Sequence, residues 1–251
     1  KSESLRLTYR KNTQFTDINN LAECFVFSNY NSIFQGNREL EAAVVNNYNL
    51  NYRSINQFTF TNIFANANYS KRSNSIQSRA NINGIDAIRT STNSNFPRET
   101  YSLSGRIDKR FKNFKLNFST RFNYSDFTNE VNNQIRNSKS LNQNYSASIE
   151  TNFRDKPNFE IGYKYNINDY NNGGIENQFI TESPFARIDA YFGKGFVFTT
   201  EYSYNHYRNQ DQTLNKFRFM DADLTYNKDG SKWEFGAVSY THLRAHETFR
   251  Y

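Results

Sequence analysis

The chain of 251 residues carries one cysteine and three histidines, Cys24, His206, His242 and His246. These are the side chains from which a thiol nucleophile, a general base near neutral pH or a zinc site would be built. Cys24 has no second cysteine, so it supports neither a disulfide framework nor a zinc spacing. His242 and His246 fall in the terminal stretch 238–251, which does not read as native sequence. His206 stands beside Tyr202 and Tyr204 on the apolar phase of an alternating run. A general base needs a positioned partner, so His206 is expected as an interfacial residue. The sequence predicts no catalytic residue, no metal and no cofactor.

The remaining chemistry lies in charge. A formal net charge of +7 would suit nucleic acid if the basic residues clustered on a helix or loop. Here they are strung out at period two, and no nucleic-acid partner is expected. Arg106, Arg121, Glu150, Lys164, Arg187, Asp189 and Glu201 all fall opposite apolar neighbours, with Lys109 and Asp169 as exceptions near strand ends. Such residues are expected to line the inside of a barrel and to form ladders of opposite charge between strands.

The elements that hold them are clearest in residues 98–125. There Leu116, Phe118, Thr120, Phe122 and Tyr124 alternate with Lys115, Asn117, Ser119, Arg121 and Asn123, the mark of a strand with one apolar and one polar face. Tyr101, Leu103 and Ile107 repeat the pattern just upstream, and the short gap between the runs predicts a hairpin. Strands of about ten residues with aromatic ends fit a membrane barrel better than a soluble sandwich, whose strands average about six.

Further strands are predicted at 3–11, 43–53, 57–70, 144–154, 159–169, 185–192, 196–207, 214–226 and 232–237, making ten full strands and a stub. A change of phase near Asn62 predicts a β-bulge. Short turns near 54, 112, 156, 194 and 229 alternate with polar loops at 12–42, 71–98, 126–143, 170–179 and 208–213. Outer-membrane barrels show this asymmetry, with tight inner turns and longer outer loops. Mean hydropathy is −0.89, yet aromatics make up 17%. A barrel reconciles the two, because only alternate residues need be apolar. The fold class expected is all-β: an antiparallel transmembrane barrel fragment of 10–11 meander strands, open at both edges.

The order of these features resembles the C-terminal half of a TonB-dependent outer-membrane receptor barrel, over residues 1–237. Gly36, Asn37 and Leu40 match the GNPxLKPE outer-loop segment of that family, followed by the Tyr/Asn-rich strand 46–52. Arg38 stands in place of the first Pro, and Ala42 and Ala43 replace the later Pro and Glu. Ser28 and Asn29 resemble a further piece of the same loop. The resemblance implies a 22-stranded barrel in the outer membrane of a Gram-negative bacterium. It also implies a lumen filled by an N-terminal plug domain, and an inner-membrane TonB-type complex that supplies energy through the segment before the plug. Neither upstream part is in the sequence, and the absence of a signal peptide suggests a missing start. Outer-membrane lipid and a surface lipoprotein complete the partners the resemblance implies.

The function implied is active import of a siderophore, glycan or peptide. Phe25, Phe27, Tyr30 and Phe34 in the first long loop are the candidates for substrate contact. A non-transport barrel, adhesive or structural, is the alternative. A barrel lipase or protease would have to be built around His206. Residues 238–248, VSYTHLRAHET, look like the translation of a transposase adapter used in sequencing libraries. On that resemblance residues 238–251 are not native; the last strand is expected to pair through about Ala237, with its continuation either disordered or a spurious extension.

Overall fold

A computed structural model of the chain describes residues 1–83, 86–131, 134–154, 156–193, 195–210, 212–227 and 234–244. Its strands are β1 (Ser2–Gln14), β2 (Phe25–Asn29), β3 (Ser32–Gln35), β4 (Ala43–Asn56), β5 (Thr61–Ser73), β6 (Ile76–Asn83), β7 (Asp86–Asn93) and β8 (Arg98–Phe111). They continue as β9 (Phe114–Val131), β10 (Gln134–Thr151), β11 (Asn158–Asn172), β12 (Ile175–Phe192), β13 (Phe196–Asn209), β14 (Gln212–Asn227) and β15 (Glu234–Arg244). Among the described residues the helical structure is one 3-10 turn, Ile18–Asn20.

Eleven strands form an antiparallel wall in the order β1-β4-β5-β8-β9-β10-β11-β12-β13-β14-β15, and β1 and β15 are its open edges. The other four strands make a cap at the loop end. There β2 pairs with β3, β3 runs parallel to β7, and β6 joins β7 to the tip of β9. The wall is the all-antiparallel meander expected from sequence, and the cap adds two parallel contacts.

Period-two patterning sorts the wall into two faces, and neither is a protein core. Ala43, Val45 and Ile180 are the buried apolar residues among those described, whereas Leu103, Phe118, Ile149, Ile161 and Tyr163 are exposed. A soluble sandwich would bury that phase against a second sheet. A continuous exposed apolar face of this length needs an apolar solvent, which a bilayer provides.

An aromatic row bounds the apolar face at each end. At the loop end Tyr9, Tyr48, Tyr69, Tyr101 and Tyr124 stand in register on neighbouring strands, with successive ring centroids 4.9, 5.9, 4.7 and 6.0 Å apart. At the turn end Phe192, Phe196 and Tyr226 do the same, 5.5 and 4.5 Å apart. Each row is level within itself, but the turn-end rim is displaced between β9 and β13. Lys115 shares one row with Glu150, Glu160, Arg187 and Glu201 on β10 to β13. The rim residue Phe114 is one position from Lys115, but the rim residue Phe196 is five from Glu201. From β9 to β13 the turn-end rim therefore shifts four residues toward the turn over four strand steps, an average of one per step. With a rise of ~3.4 Å and a strand spacing of ~4.8 Å, that slope is about 35°, within the tilt range of membrane barrels.

Several boundaries differ from those read in the sequence. The expected bulge near Asn62 is absent, because β4 and β5 pair without a break from Val44–Ser73 to Asn56–Thr61. The phase change comes from a turn at 57–60 instead. Asn56 Oδ1 accepts from the backbone N–H groups of Phe58 and Thr59 (3.0 and 3.2 Å), and Phe60 takes a positive φ of 49°. The polar stretches 126–143, 170–179 and 208–213 are mostly strand, not loop. Outside the membrane a strand needs no apolar phase, so alternation stops while backbone pairing continues.

The charge rule also needs extending. Lys71, Glu99, Asp126, Lys139, Glu182, Arg208, Lys216 and Arg218 lie on the apolar phase, as their register partners show. They sit near or beyond the loop-end rim, where a charge costs ~0–1 kcal/mol instead of the ~2–4 kcal/mol of the midplane. Pairing of β15 runs to Arg244, past the boundary expected at Ala237. Lys232, Trp233 and residues 245–251 lie outside the described residues.

Candidate functional site

The polar phase of the wall lines a cavity of about 1080 Å³, which reaches from Arg6 on β1 to Lys164 on β11 and includes Arg53, Arg106, Arg121 and Glu150. Two of its neighbouring ion pairs run along a strand. Arg106 Nε donates to both carboxylate oxygens of Asp108 (3.0 and 2.9 Å), and Arg187 donates to Asp189 Oδ1 from Nε and Nη2 (3.2 and 3.1 Å). Thr199 adds a third bond to that carboxylate at 2.8 Å. Lys115 to Glu150, 3.1 Å, is a cross-strand pair of the kind the alternation predicted. Glu201 stands in register with Arg187. Residues i and i+2 share a face about 7 Å apart, within the reach of an arginine, so strands can pair their own charges.

Among the described residues Arg6, Arg53 and Arg121 have no carboxylate partner within ion-pair distance. Polar-phase carboxylates begin at Asp108 on β8 and continue through Glu150, Glu160 and Asp189 to Glu201, Asp221 and Asp223 on β13 and β14. The polar phase of β1 and β4 thus carries Arg6, Arg10 and Arg53 without an acidic residue, whereas β8 to β12 mix both signs and Glu201, Asp221 and Asp223 make β13 and β14 acidic. Lys164 lies 4.7 Å above the ring of Phe185. That ring covers Gly162, where a Cβ would overlap it and come within 2.9 Å of Ser148 Cβ. An aromatic on the polar phase was not predicted. The signal for it was Gly162, a residue without a side chain in an otherwise filled strand.

The cap carries the four aromatic candidates, which do not form one platform. Phe25 and Phe27 share a face of β2 and are 64% and 74% exposed, and Tyr30 at the hairpin tip is 91% exposed. Phe34 belongs to the opposite face, paired with Val26 and Arg89, and is half-buried. The Gly36-Asn37 pair has a structural task. Gly36 packs on the Ala22 backbone, where no side chain fits, and its N–H donates to Ala22 O at 3.0 Å. Asn37 N–H donates to Asn20 O at 2.7 Å, and its side chain donates to Ser91 O at 3.2 Å. Asn93 is the second clasp, donating to Glu41 O (2.9 Å) and Asn74 O (3.0 Å) and accepting from Glu41 N–H (2.8 Å). Polar composition alone did not reveal either clasp.

His206 is partnered on both nitrogens: Nδ1 lies 3.3 Å from Glu182 Oε2, and Nε2 lies 3.0 Å from Thr213 Oγ1. Hydroxyl, imidazole and carboxylate in that order resemble an activated nucleophile. Acyl transfer would also need donors aimed at a developing oxyanion. The backbone here is committed to β12–β13 and β13–β14 pairing, which leaves His206 as a member of a polar interfacial cluster. Arg208 Nη2 joins it at 3.1 Å from Glu182 Oε1. Cys24 is exposed and free.

Over residues 1–197 the chain matches the family described as the outer membrane protein beta-barrel family. No curated protein and no solved structure matches it.

Proposed function

Since the chain belongs to the outer membrane protein beta-barrel family, we propose that it forms the C-terminal half of the pore wall of a TonB-dependent active importer. It resides in the outer membrane, with the tight turns on the inner side and the cap outside. The observation that carries the import reading is the inner wall itself. Arg6, Arg53 and Arg121 face the lumen without carboxylate partners, along a cavity already lined by polar side chains. A lumen-filling plug with acidic groups would neutralise them, and a barrel wide enough to need such a plug is what the slant and strand count suggest. Nutrient would be captured at the cap and released inward when the inner-membrane complex pulls on the plug. A siderophore, a glycan and a peptide all fit this reading.

The test uses the complete gene in its own cell. Uptake of the captured nutrient should stop when the proton gradient is collapsed, while surface binding persists. Uptake that continues without the gradient would overturn active import. Loss of surface attachment on deletion, with no effect on any uptake, would favour the adhesive or structural alternative, for which Phe25, Phe27 and Tyr30 supply exposed contacts.

The native wall is proposed to end at Ala237. Beyond it Val238 and Tyr240 fall on the lumen phase, opposite Asp223 and Asp221, while Ser239 and Thr241 take the membrane phase. That inversion is what a translated adapter would produce, since such residues were never selected to face lipid. Resequencing the locus should give a different continuation with a final alternating strand. Recovery of VSYTHLRAHETFRY followed by a stop codon from unamplified genomic DNA would refute the adapter origin.

A further inference from the structure

The membrane-facing side of β13 and β14 carries a concentration of cations that the transport reading does not use. Arg208, Lys216 and Arg218 occupy the same phase as Tyr202, Tyr204 and Met220. Lys216 stands opposite His206, and Arg218 stands opposite Tyr204 with its guanidinium 6.0 Å from the ring centroid. Glu182 neutralises Arg208 alone. Among the described residues neither Lys216 nor Arg218 has a carboxylate within ion-pair distance, and Nε of Arg208 is buried without a hydrogen-bond partner. A break in register between Tyr207 and Arg208 leaves Leu214 unpaired and bends the strand at this point.

The slanted belt fixes the height of this cluster. The row of Tyr124 passes through Leu141, Asp169 and Gln178 and meets β13 at Gln210, whose N–H donates to Gln178 O at 2.9 Å. The four-residue shift of the turn-end rim between β9 and β13, carried over to the loop end, brings the height of Tyr124 to His206. Arg208 then lies one pair outside the tyrosine rim, Lys216 just outside it, and Arg218 just inside. A groove of about 600 Å³ that includes Arg208 is lined by apolar Leu141 and Ile180 and by the charged Lys139, Asp169 and Glu176. The amide of Gln178 holds Asp169 at 2.7 Å, and that of Gln143 at 3.4 Å.

We propose that Arg208, Lys216 and Arg218 bind the phosphate of an outer-leaflet lipid headgroup, with the lipid's chains against the adjoining apolar wall. The phase excludes a solute in the lumen, and the height excludes the hydrocarbon centre. What remains at that level outside a barrel is the headgroup layer. Two unneutralised cations, Lys216 and Arg218, two residues apart on one face of β14, match a phosphate ester, which accepts several charge-assisted bonds at once. The lipid is thereby a fixed component of the wall on this side of the barrel.

The test compares the complete barrel with its Lys216→Gln/Arg218→Gln variant in nanodiscs of phosphatidylcholine containing lipid A. Retained lipid A is counted by native mass spectrometry. Each basic residue near an anionic surface contributes roughly a fivefold factor, so the double variant should retain about 25-fold less. Lys216→Arg/Arg218→Lys should retain it, and dephosphorylated lipid A should be lost from every form. Heat-resistant migration of the glutamine variant verifies that it folded. Equal retention of phosphorylated and dephosphorylated lipid, or equal retention by the folded glutamine variant, would overturn the proposal. Displacement by millimolar inorganic phosphate would also overturn it, because the site would then serve a free anion.

Discussion

Replacing Phe118 by arginine tests the membrane placement of the wall most directly. On β9 the apolar phase runs from Phe114 at the turn rim to Tyr124 at the loop rim. Ten residues at ~3.4 Å each and a slant of about 35° make a belt ~28 Å tall, close to the ~25 Å apolar band of membrane barrels. Phe118 lies within one residue of its middle. Phe118→Arg should therefore incur the full midplane penalty of ~2–4 kcal/mol, whereas Tyr124→Arg should cost ~0–1 kcal/mol. Phe122→Arg should fall between them. Asn117→Arg, one residue from Phe118, projects to the lumen and forfeits one bond to Ser148 Oγ (3.3 Å), worth about 1 kcal/mol. The assay is urea titration of the complete barrel in lipid vesicles, with the folded fraction read from heat-modifiable migration. A flat series along β9, or an Asn117→Arg cost equal to that of Phe118→Arg, would refute the bilayer as the solvent of this face.

Gly162→Val should destabilise the wall by roughly 1–3 kcal/mol, because its Cβ overlaps the Phe185 ring. Gly105→Ala, whose Cβ meets only Thr120 Cγ2 at 3.7 Å, should change the urea midpoint little, and equal costs would show that packing at Gly162 is not the cause. Asn93→Ala removes two bonds between the two outer connections, to Glu41, and one within the second, to Asn74, each worth about 1 kcal/mol. Hydrogen exchange should rise in residues 37–42 and 74–97 while the wall keeps its protection; unchanged exchange would show that Asn93 is not a clasp. If the proposed import reading holds, Phe25→Ser/Phe27→Ser should weaken nutrient capture about tenfold, the effect of two aromatic contacts at ~0.5–1.5 kcal/mol each. An unchanged Kd would remove the β2 face from the capture site.

The wall was legible in the sequence because a bilayer imposes a strict rule on every second residue. Phe114 to Tyr124 and Phe159 to Ile167 obey it without exception, and both strands lie where the alternation places them. The rule has no hold where the bilayer ends. Strands β9, β10 and β12 continue through polar residues that carry no phase, so their outer halves read as loops. The β2–β3 hairpin was illegible for the same reason, since FVFSN and SIFQ are too short to show a period. The turn at 57–60 was hidden by Phe58 and Phe60, which mimic a strand while Asn56 bends the chain beneath them. Alternation assigns each charge a face but not a partner. Arginine reaches along its own strand to Asp108 or Asp189 as readily as across to a neighbour, and alternation contains no information about that choice.

The tyrosine row also answers a question that alternation leaves open. A slip of one residue between neighbouring strands would turn every side chain to the wrong face and is forbidden by patterning. A slip of two keeps both faces intact and, on the wall of a large barrel, would pass that test. It would, however, bring Lys71, Glu99 or Asp126, each one pair beyond a tyrosine, level with the aromatic rings of the adjacent strand. The rim would then be broken by a charge drawn ~5–6 Å toward the hydrocarbon, given ~6.8 Å of strand at the slant derived above. Tyr9, Tyr48, Tyr69, Tyr101 and Tyr124 therefore act as a proofreading mark for assembly. Each new strand can dock at several even registers, but only one aligns its tyrosine with the row already laid down.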